Sequence, residues 1–170
     1  LNPEKVVNNQ TFGDVVTEQA PDIKGYNKVQ TEGSVEITTG ENTITFEYTK
    51  RTDLKYTVNY LEQDTNAVLA LEKTVENQTY LAEVTENAID IIGYTKVNPT
   101  ATIIIKVNNN EIIFYYKKIE GLSYKVKYLE KDTEVEVASS KTIDGKVFED
   151  VVTESAIDVD GYDKQEPISQ

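Results

Sequence analysis

The feature that most constrains this chain is an internal repeat of 68 residues. Val16-Thr17-Glu18 recurs as Val84-Thr85-Glu86 and as Val152-Thr153-Glu154. Gly25-Tyr26 recurs as Gly93-Tyr94 and Gly161-Tyr162, each with a Lys two residues on, at Lys28, Lys96 and Lys164. Tyr60-Leu61-Glu62 with Asp64-Thr65 returns as Tyr128-Leu129-Glu130 with Asp132-Thr133. Ile44, Phe46, Tyr48 and Lys50 return as Ile112, Phe114, Tyr116 and Lys118. No gap is needed anywhere. A period of this length means that one supersecondary unit is built again and again. The 170 residues hold two and a half periods.

The stretches that look least ordered lie between Tyr48 and Tyr56 and between Tyr116 and Tyr124. Boundaries placed there give unit one at 1–52, without its first strand. Unit two, 53–120, is complete, and unit three, 121–170, lacks its last strands. The partial units and the start at Leu1 lead us to expect a window on a longer array. A permuted phase, with a unit starting near 69, would put a boundary just after the Asp64-Thr65 turn.

Alignment of the units shows which side of each strand faces a core. Thr43–Tyr48 alternates cleanly, with Ile44, Phe46 and Tyr48 inward and Thr45 and Glu47 outward. The matching run from Glu111 to Tyr116 looks unphased alone. By alignment Ile112, Phe114 and Tyr116 are core, and Ile113 and Tyr115 form the outer face. Tyr56, Val58 and Tyr60 reappear as Tyr124, Val126 and Tyr128. Thr57 and Asn59 between them become Lys125 and Lys127, so that face is wet. Further strands are expected at Leu71–Glu76, Tyr94–Asn98 and Thr102–Val107. The β-branched run Ile103-Ile104-Ile105 disfavours helix. Asn108-Asn109-Asn110 reads as a turn, matched by Gly40-Glu41-Asn42. One helical turn is expected at Thr85–Asp90, with Thr85 as its N-cap and Glu86 complementing the dipole. Each unit is thus mostly β (α+β with at most a short helix), with roughly five short strands and a thin core.

Composition narrows the chemistry. The chain has no Cys, His, Met or Trp. This removes disulfides, thiolate nucleophiles, imidazole bases, Ser–His–Asp triads and Cys- or His-ligated metals. A metal would have to bind through oxygen, as calcium and magnesium do; no cofactor is expected. Seventeen Lys and Arg face thirty Asp and Glu, a net charge of −13. That sign opposes nucleic acid, whose phosphates are neutralised by cationic side chains, and opposes an anionic membrane surface. No apolar stretch approaches the ~20 residues of a bilayer span, and no signal peptide is visible at the start. Eleven Tyr suit half-buried sheet faces, where the ring packs and the hydroxyl reaches water.

The retained residues have structural and chemical readings. Gly25, Gly93 and Gly161 mark positions that need φ > 0 or close approach. Tyr94 anchors that bend in the core, with stacking on a glycan as the alternative. Asp64-Thr65 and Asp132-Thr133 read as turns with an Asx-type bond. Carboxylates recur at Glu62 and Glu130, Asp64 and Asp132, Glu86 and Glu154, and Asp90 and Asp158. Paired acid–base work and an oxygen-ligand calcium site are the chemical readings. No Asp-x-Asp-x-Asp-Gly loop is present, and a 68-residue β unit hardly builds a deep cleft. Capping, turns and solvated charge are therefore the preferred explanation. The recurring Lys73 and Lys141, and Lys96 and Lys164, read as solvated strand positions or ion pairs. We assign no catalytic, cofactor-binding, metal-binding or ligand-binding residue.

Taken together, Tyr56-Thr57-Val58-Asn59-Tyr60-Leu61-Glu62 with Asp64-Thr65, Lys73-Thr74, Val84-Thr85-Glu86, Gly93-Tyr94 and the closing Ile112-to-Lys117 strand resemble the MucBP (mucin-binding protein) repeat. These repeats occur in tandem in cell-wall-anchored surface proteins of Gram-positive bacteria. The resemblance covers unit two completely and units one and three in part. Asn66 and Glu134 stand where the family usually has Gly after Asp-Thr. The resemblance implies ubiquitin-like β-grasp type units strung end to end. It also implies an extracellular, wall-anchored location and host mucin glycoproteins or other surface glycans as partners. Lys–Asn or Lys–Asp isopeptide crosslinks, found in exported Gram-positive adhesins, stay open.

Charge qualifies the binding. Net charge is −3 for residues 1–52, −4 for 53–121 and −6 for 122–170. Mucins rich in sialate and sulfate are anionic too, so simple attraction has the wrong sign. Hydrogen bonding, Tyr faces or a bridging cation would have to carry weak sites, with tandem copies adding avidity. The leading expectation is a non-catalytic repeat of a surface adhesin that binds host mucin or glycan. The alternative is a structural stalk, spacer or fibre segment that projects another domain. In either case neighbouring repeats of the chain are partners, and neither nucleic-acid binding nor membrane insertion by this segment is expected. A small carboxylate hydrolase is the least favoured reading.

Overall fold

A computed structural model describes residues 4–165. The chain's start at Leu1 and the end of unit three lie outside the described residues. Those residues are all β. They contain no α-helix, hence none long and apolar enough to cross a membrane. Unit one contributes β1 (Val15–Gln19), β2 (Tyr26–Lys28), β3 (Glu32–Glu36) and β4 (Tyr48–Lys50). Unit two contributes β5 (Leu54–Glu62), β6 (Lys73–Gln78), β7 (Glu83–Asn87), β8 (Tyr94–Lys96), β9 (Thr100–Ile104) and β10 (Glu111–Lys118). Unit three contributes β11 (Leu122–Leu129) and β12 (Glu136–Lys146).

In unit two β6, β5, β10 and β8 form one mixed sheet in that order. The central pair, β5 and β10, is parallel, with Val58 opposite Ile112 and Tyr60 opposite Phe114. A parallel pair needs a long crossover, and β6 to β9 lie within it. β7 and β9 make a separate antiparallel ribbon. The core follows from the period-2 pattern. Leu54, Tyr56, Val58 and Tyr60 from β5 and Ile112, Phe114 and Tyr116 from β10 are buried together with Ala88 and Ile105. The Tyr60 and Phe114 rings stack at 6.1 Å. Inside the core Tyr116 keeps its hydroxyl satisfied by donating to the Ile89 carbonyl at 2.9 Å.

Pairings recur with the sequence period. Val16 opposite Val35 returns as Val84 opposite Ile103. Tyr26 opposite Lys50 returns as Tyr94 opposite Lys118. Val58 opposite Lys73 returns as Val126 opposite Lys141. The β5–β10 pair has no such counterpart among the described residues: β11 pairs with β12 alone.

Several expectations need correction. Thr85 does not cap a helical turn at Thr85–Asp90. It lies in β7 opposite Thr102, and the two hydroxyls are 2.8 Å apart. Five consecutive ladder pairs outweigh one N-cap. Unit two has six strands rather than five. The strand expected at Leu71–Glu76 starts at Lys73, because pairing begins where Lys73 meets Val58, and Leu71 is left 93 % exposed. β8 stops at Lys96, short of Asn98. The strand expected at Thr102–Val107 is Thr100–Ile104, since the Asn110 side chain holds the following turn by bonds to both backbone groups of Lys106. The strand expected at Thr43–Tyr48 is reduced to Tyr48–Lys50. In unit two the matching residues owe their ladder to β5, and unit one offers no such partner among the described residues. Val152-Thr153-Glu154 forms no strand, and no counterpart of β9 lies among the described residues.

Candidate functional site at the joint between units

The retained carboxylates are held by neighbouring lysines and hydroxyls. Glu86 on β7 accepts the Tyr56 hydroxyl from β5 and the Lys73 ammonium from β6, both at 2.6 Å. One side chain thus ties the ribbon to the main sheet. Its side chain is 14 % exposed, and the Lys73 and Tyr56 bonds hold its pKa below the ordinary Glu value. Burial, then the bond to anionic Glu86, pushes the Tyr56 hydroxyl up to about 12. The same triad recurs as Tyr124 (2.6 Å) and Lys141 (2.7 Å) on Glu154. In unit one Lys5 meets Glu18 at 2.7 Å. The recurring Lys73 and Lys141 are therefore the lysines of this tie. Lys96 pairs with the exposed Asp90, and Lys164 with Asp158, both at 2.8 Å. Such exposed pairs contribute little.

The Asp64-Thr65 turn is built differently from the Asx bond expected. Thr65 donates to the Glu62 carboxylate and accepts the Ala67 N–H at 3.1 Å. Thr133 repeats both bonds with Glu130 and the Val135 N–H. Asn66 and Glu134, which follow Asp64-Thr65 and stand at the matching place after Asp132-Thr133, both sit at φ 57. Asn tolerates that left-handed region; Glu is strained there.

The most developed constellation lies where one unit meets the next. Gly25 and Gly93 have φ of 86 and 81. A Cβ on Gly25 would lie 2.4 Å from the Tyr80 ring, and one on Gly93 would lie 2.3 Å from the Phe148 ring. Both demands on glycine, positive φ and close approach, are thus met at one place. The rings come from the following unit and complete edge-on pairs. Tyr26 and Tyr80 are 5.6 Å apart at 76°, and Tyr94 and Phe148 are 5.7 Å apart at 69°. Such pairs contribute roughly 0.5–1.5 kcal/mol beyond area burial. Backbone bonds seal the joint. Arg51 N–H donates to Gly25 O (3.0 Å) and Tyr80 N–H to Arg51 O (2.8 Å). Ile119 and Phe148 repeat both bonds at 2.9 Å. Lys118 adds an ion pair to Glu149 at 3.0 Å. Compared with protein-family models, curated proteins and solved structures, the chain matches none.

Tyr94 therefore anchors the bend, as expected, but toward the next unit. The sequence reading missed the rings of Tyr80 and Phe148. They do recur at the period, with Phe12 as the third member, but as aromatic rather than identical residues. The outer members of the series are open. Phe12 is 73 % exposed, Tyr162 is 47 % exposed, and a Cβ on Gly161 would meet nothing within 4 Å.

Little else resembles a site. A groove of about 680 Å³ is lined by Arg51, Asp53, Lys55, Asn108, Asn110 and Glu111 among others. It mixes both charges. No group of three or more Asp and Glu among the described residues is placed to hold a metal ion.

Proposed function

We propose that this chain is a non-catalytic repeat segment of a Gram-positive, wall-anchored surface protein, with MucBP-like β-grasp units forming a stalk. The observation that carries the reading is the joint: a ring of each following unit seated on a glycine of the unit before, with the same backbone bonds at both places. A joint repeated in register propagates one orientation from unit to unit, as a stalk requires. The accessible surface supports this. It is 12863 Å², against roughly 8,400 Å² for a compact monomer of this mass. The β-grasp assignment is supported by a mixed sheet whose two central strands are the first and last of the unit and run parallel. The β7–β9 ribbon stands where such a fold would carry its helix.

Small-angle scattering tests the stalk. A compact chain of this length has a radius of gyration of about 15 Å. A stalk gives a value well above that and a rod-like profile. A value near the compact one would refute the reading.

A second reading, weak binding of host mucin or glycan, is favoured by one face. Leu61, Ile113 and Tyr115 lie on the outer side of β5 and β10, beside Asn59, whose amide donates to Glu111 at 2.7 Å. An aromatic flanked by amide and carboxylate groups suits a sugar ring. Thr45 and Glu47 replace Ile113 and Tyr115 in unit one, so on this reading binding belongs to unit two. Mucin pull-down by the chain, lost in Tyr115→Ala with scattering unchanged, would support it. Absence of pull-down would remove it and leave the stalk standing.

A further inference from the structure

We propose that two copies of this chain pair face to face through the outer side of unit two's main sheet, with the two β10 strands running antiparallel across a two-fold axis. The proposal is independent of the stalk reading. A second copy and a sugar would compete for this face.

An apolar row crosses the sheet there. Leu61 lies opposite Val68 on one side and opposite Tyr115 on the other. The β8–β10 register, continued by one residue, sets Val97 beside Tyr115, and the Val97 N–H donates to the Tyr115 carbonyl at 2.9 Å. Ile113, opposite Asn59, widens the patch by one row. Val68, Val97 and Ile113 are exposed, and Leu61 and Tyr115 are half-buried. A contiguous apolar patch left open to water marks an interaction surface. All the strands that build it belong to unit two.

The period shows that this face does not serve contact between units. A surface that stacked one unit on the next would be apolar in each. Thr45 and Glu47 stand in unit one where Ile113 and Tyr115 stand in unit two, and Glu136 stands in unit three where Val68 does. The joint, by contrast, keeps its glycines and its aromatic rings from unit to unit. The patch is peculiar to unit two and points to another molecule.

Charge complementarity selects a second copy as that molecule. Along the outer side of β10 the order is Glu111, Ile113, Tyr115, Lys117: an acid, two apolar residues, a base. Both charged residues are exposed, and Glu111 holds the Asn59 amide at 2.7 Å beside the patch. A second copy laid on the first with β10 reversed sets each Glu111 over the other's Lys117 and each Ile113 over the other's Tyr115. A two-fold axis running across the strands, between Ile113 and Tyr115, does this at both ends at once. An axis along the strands would set Glu111 against Glu111 and Lys117 against Lys117. Opposite charges around an apolar centre fix the register and reject the like-charged alternative. Sheets packed face to face lie about 10 Å apart with strand directions within about 30° of each other, and antiparallel β10 strands meet that geometry. The contact is isologous, so it closes at a dimer.

Sedimentation velocity of the intact 170-residue chain over two decades of concentration tests the proposal. The expected result is an equilibrium between the 19.2 kDa monomer and its dimer, with nothing larger. Ile113→Thr combined with Tyr115→Glu, which installs the residues of unit one, should abolish the dimer. Glu111→Lys and Lys117→Glu each bring like charges together at both ends, and each should weaken the dimer about tenfold. Combined in one chain, the two charge substitutions exchange acid and base and should restore the dimer, which also shows that the fold survives them. A monomer at every concentration would overturn the proposal, and mucin pull-down lost in Tyr115→Ala would then give the face to a glycan. A dimer that survives Ile113→Thr with Tyr115→Glu would overturn it by placing the contact elsewhere. Single charge variants that weaken the dimer without rescue in the combined one would overturn the antiparallel arrangement, and growth beyond the dimer would overturn the two-fold closure.

Discussion

The same sequence pattern is folded to different degrees in neighbouring parts of this molecule. Between Leu54 and Tyr116 the retained Tyr, Val, Ile and Phe positions close into a buried core. Between Leu122 and Lys146 the matching first-strand residues form a two-stranded sheet whose inward side chains stay half-covered. Between Val15 and Lys50 the later strands are present, but among the described residues Ile44, Phe46 and Tyr48 have no first strand beside them. The difference lies in one pairing, the parallel contact of β5 with β10. Hairpins and ribbons form locally in every part; among the described residues the core forms where the unit's first and last strands meet. An isolated two-stranded ribbon is marginal in water, so this is the expected division of stability.

Equal substitutions at equivalent positions should expose this difference most strongly. Phe114→Ala removes a buried ring and should cost unit two about 3–5 kcal/mol in denaturant unfolding. Phe46→Ala, at the matching place in unit one, should cost less than half of that. Equal losses would break the distinction between the parts. Next in size is the joint. Gly93→Ala meets both the positive φ and the Phe148 ring, and should cost roughly 1–3 kcal/mol with loosened contact between units two and three. Gly161→Ala meets only the φ and should cost about 1 kcal/mol, toward the low end of the range for Gly93→Ala. Limited proteolysis around residue 120 reads the loosening directly, and Phe148→Ala should relieve part of the Gly93→Ala effect.

The Glu86 tie gives a pH signature. Its folded pKa lies below the ordinary carboxylate value, so its contribution is fully present above the unfolded pKa. It is lost as pH falls through the folded pKa. Tyr56 works at the other end: its pKa is raised, so its contribution is present below pH 10 and lost as pH rises toward about 12. Glu86→Gln should lower stability at neutral pH by about 1–2 kcal/mol and flatten the acid limb. Glu154→Gln should do less, because that tie is open to water. The smallest effect is at the turn. Glu134→Gly removes a strained left-handed Glu and should stabilise unit three by about 0.5–1 kcal/mol, while Asn66→Gly should be near neutral.

Much of this was legible in the sequence. Alternation and the repeat together identified the core faces of β5 and β10, down to Ile113 and Tyr115 pointing outward. The positive φ at Gly25, Gly93 and Gly161 followed from their retention beside Tyr. The helical turn at Thr85 was misread because an N-cap signal is local, whereas the partner that makes Thr85 a strand residue, Thr102, is distant. The joint was half legible. Its glycines recur as identities, but its rings recur only as a class, from Phe12 to Tyr80 to Phe148. The weakness of the strand at Thr43–Tyr48 was half legible: unit one was read without its first strand, yet the clean alternation, which reports only a face that seeks burial, still marked Thr43–Tyr48 as a strand.

Amide hydrogen exchange on the dilute monomeric chain tests the central claim most directly. If the β5–β10 pairing is what makes a unit, amides in Tyr56–Glu62 and Ile112–Tyr116 will be strongly protected. Those in Ile44–Tyr48 and on the open edge of β11 will exchange orders of magnitude faster. Equal protection of the matched segments in all parts would contradict it.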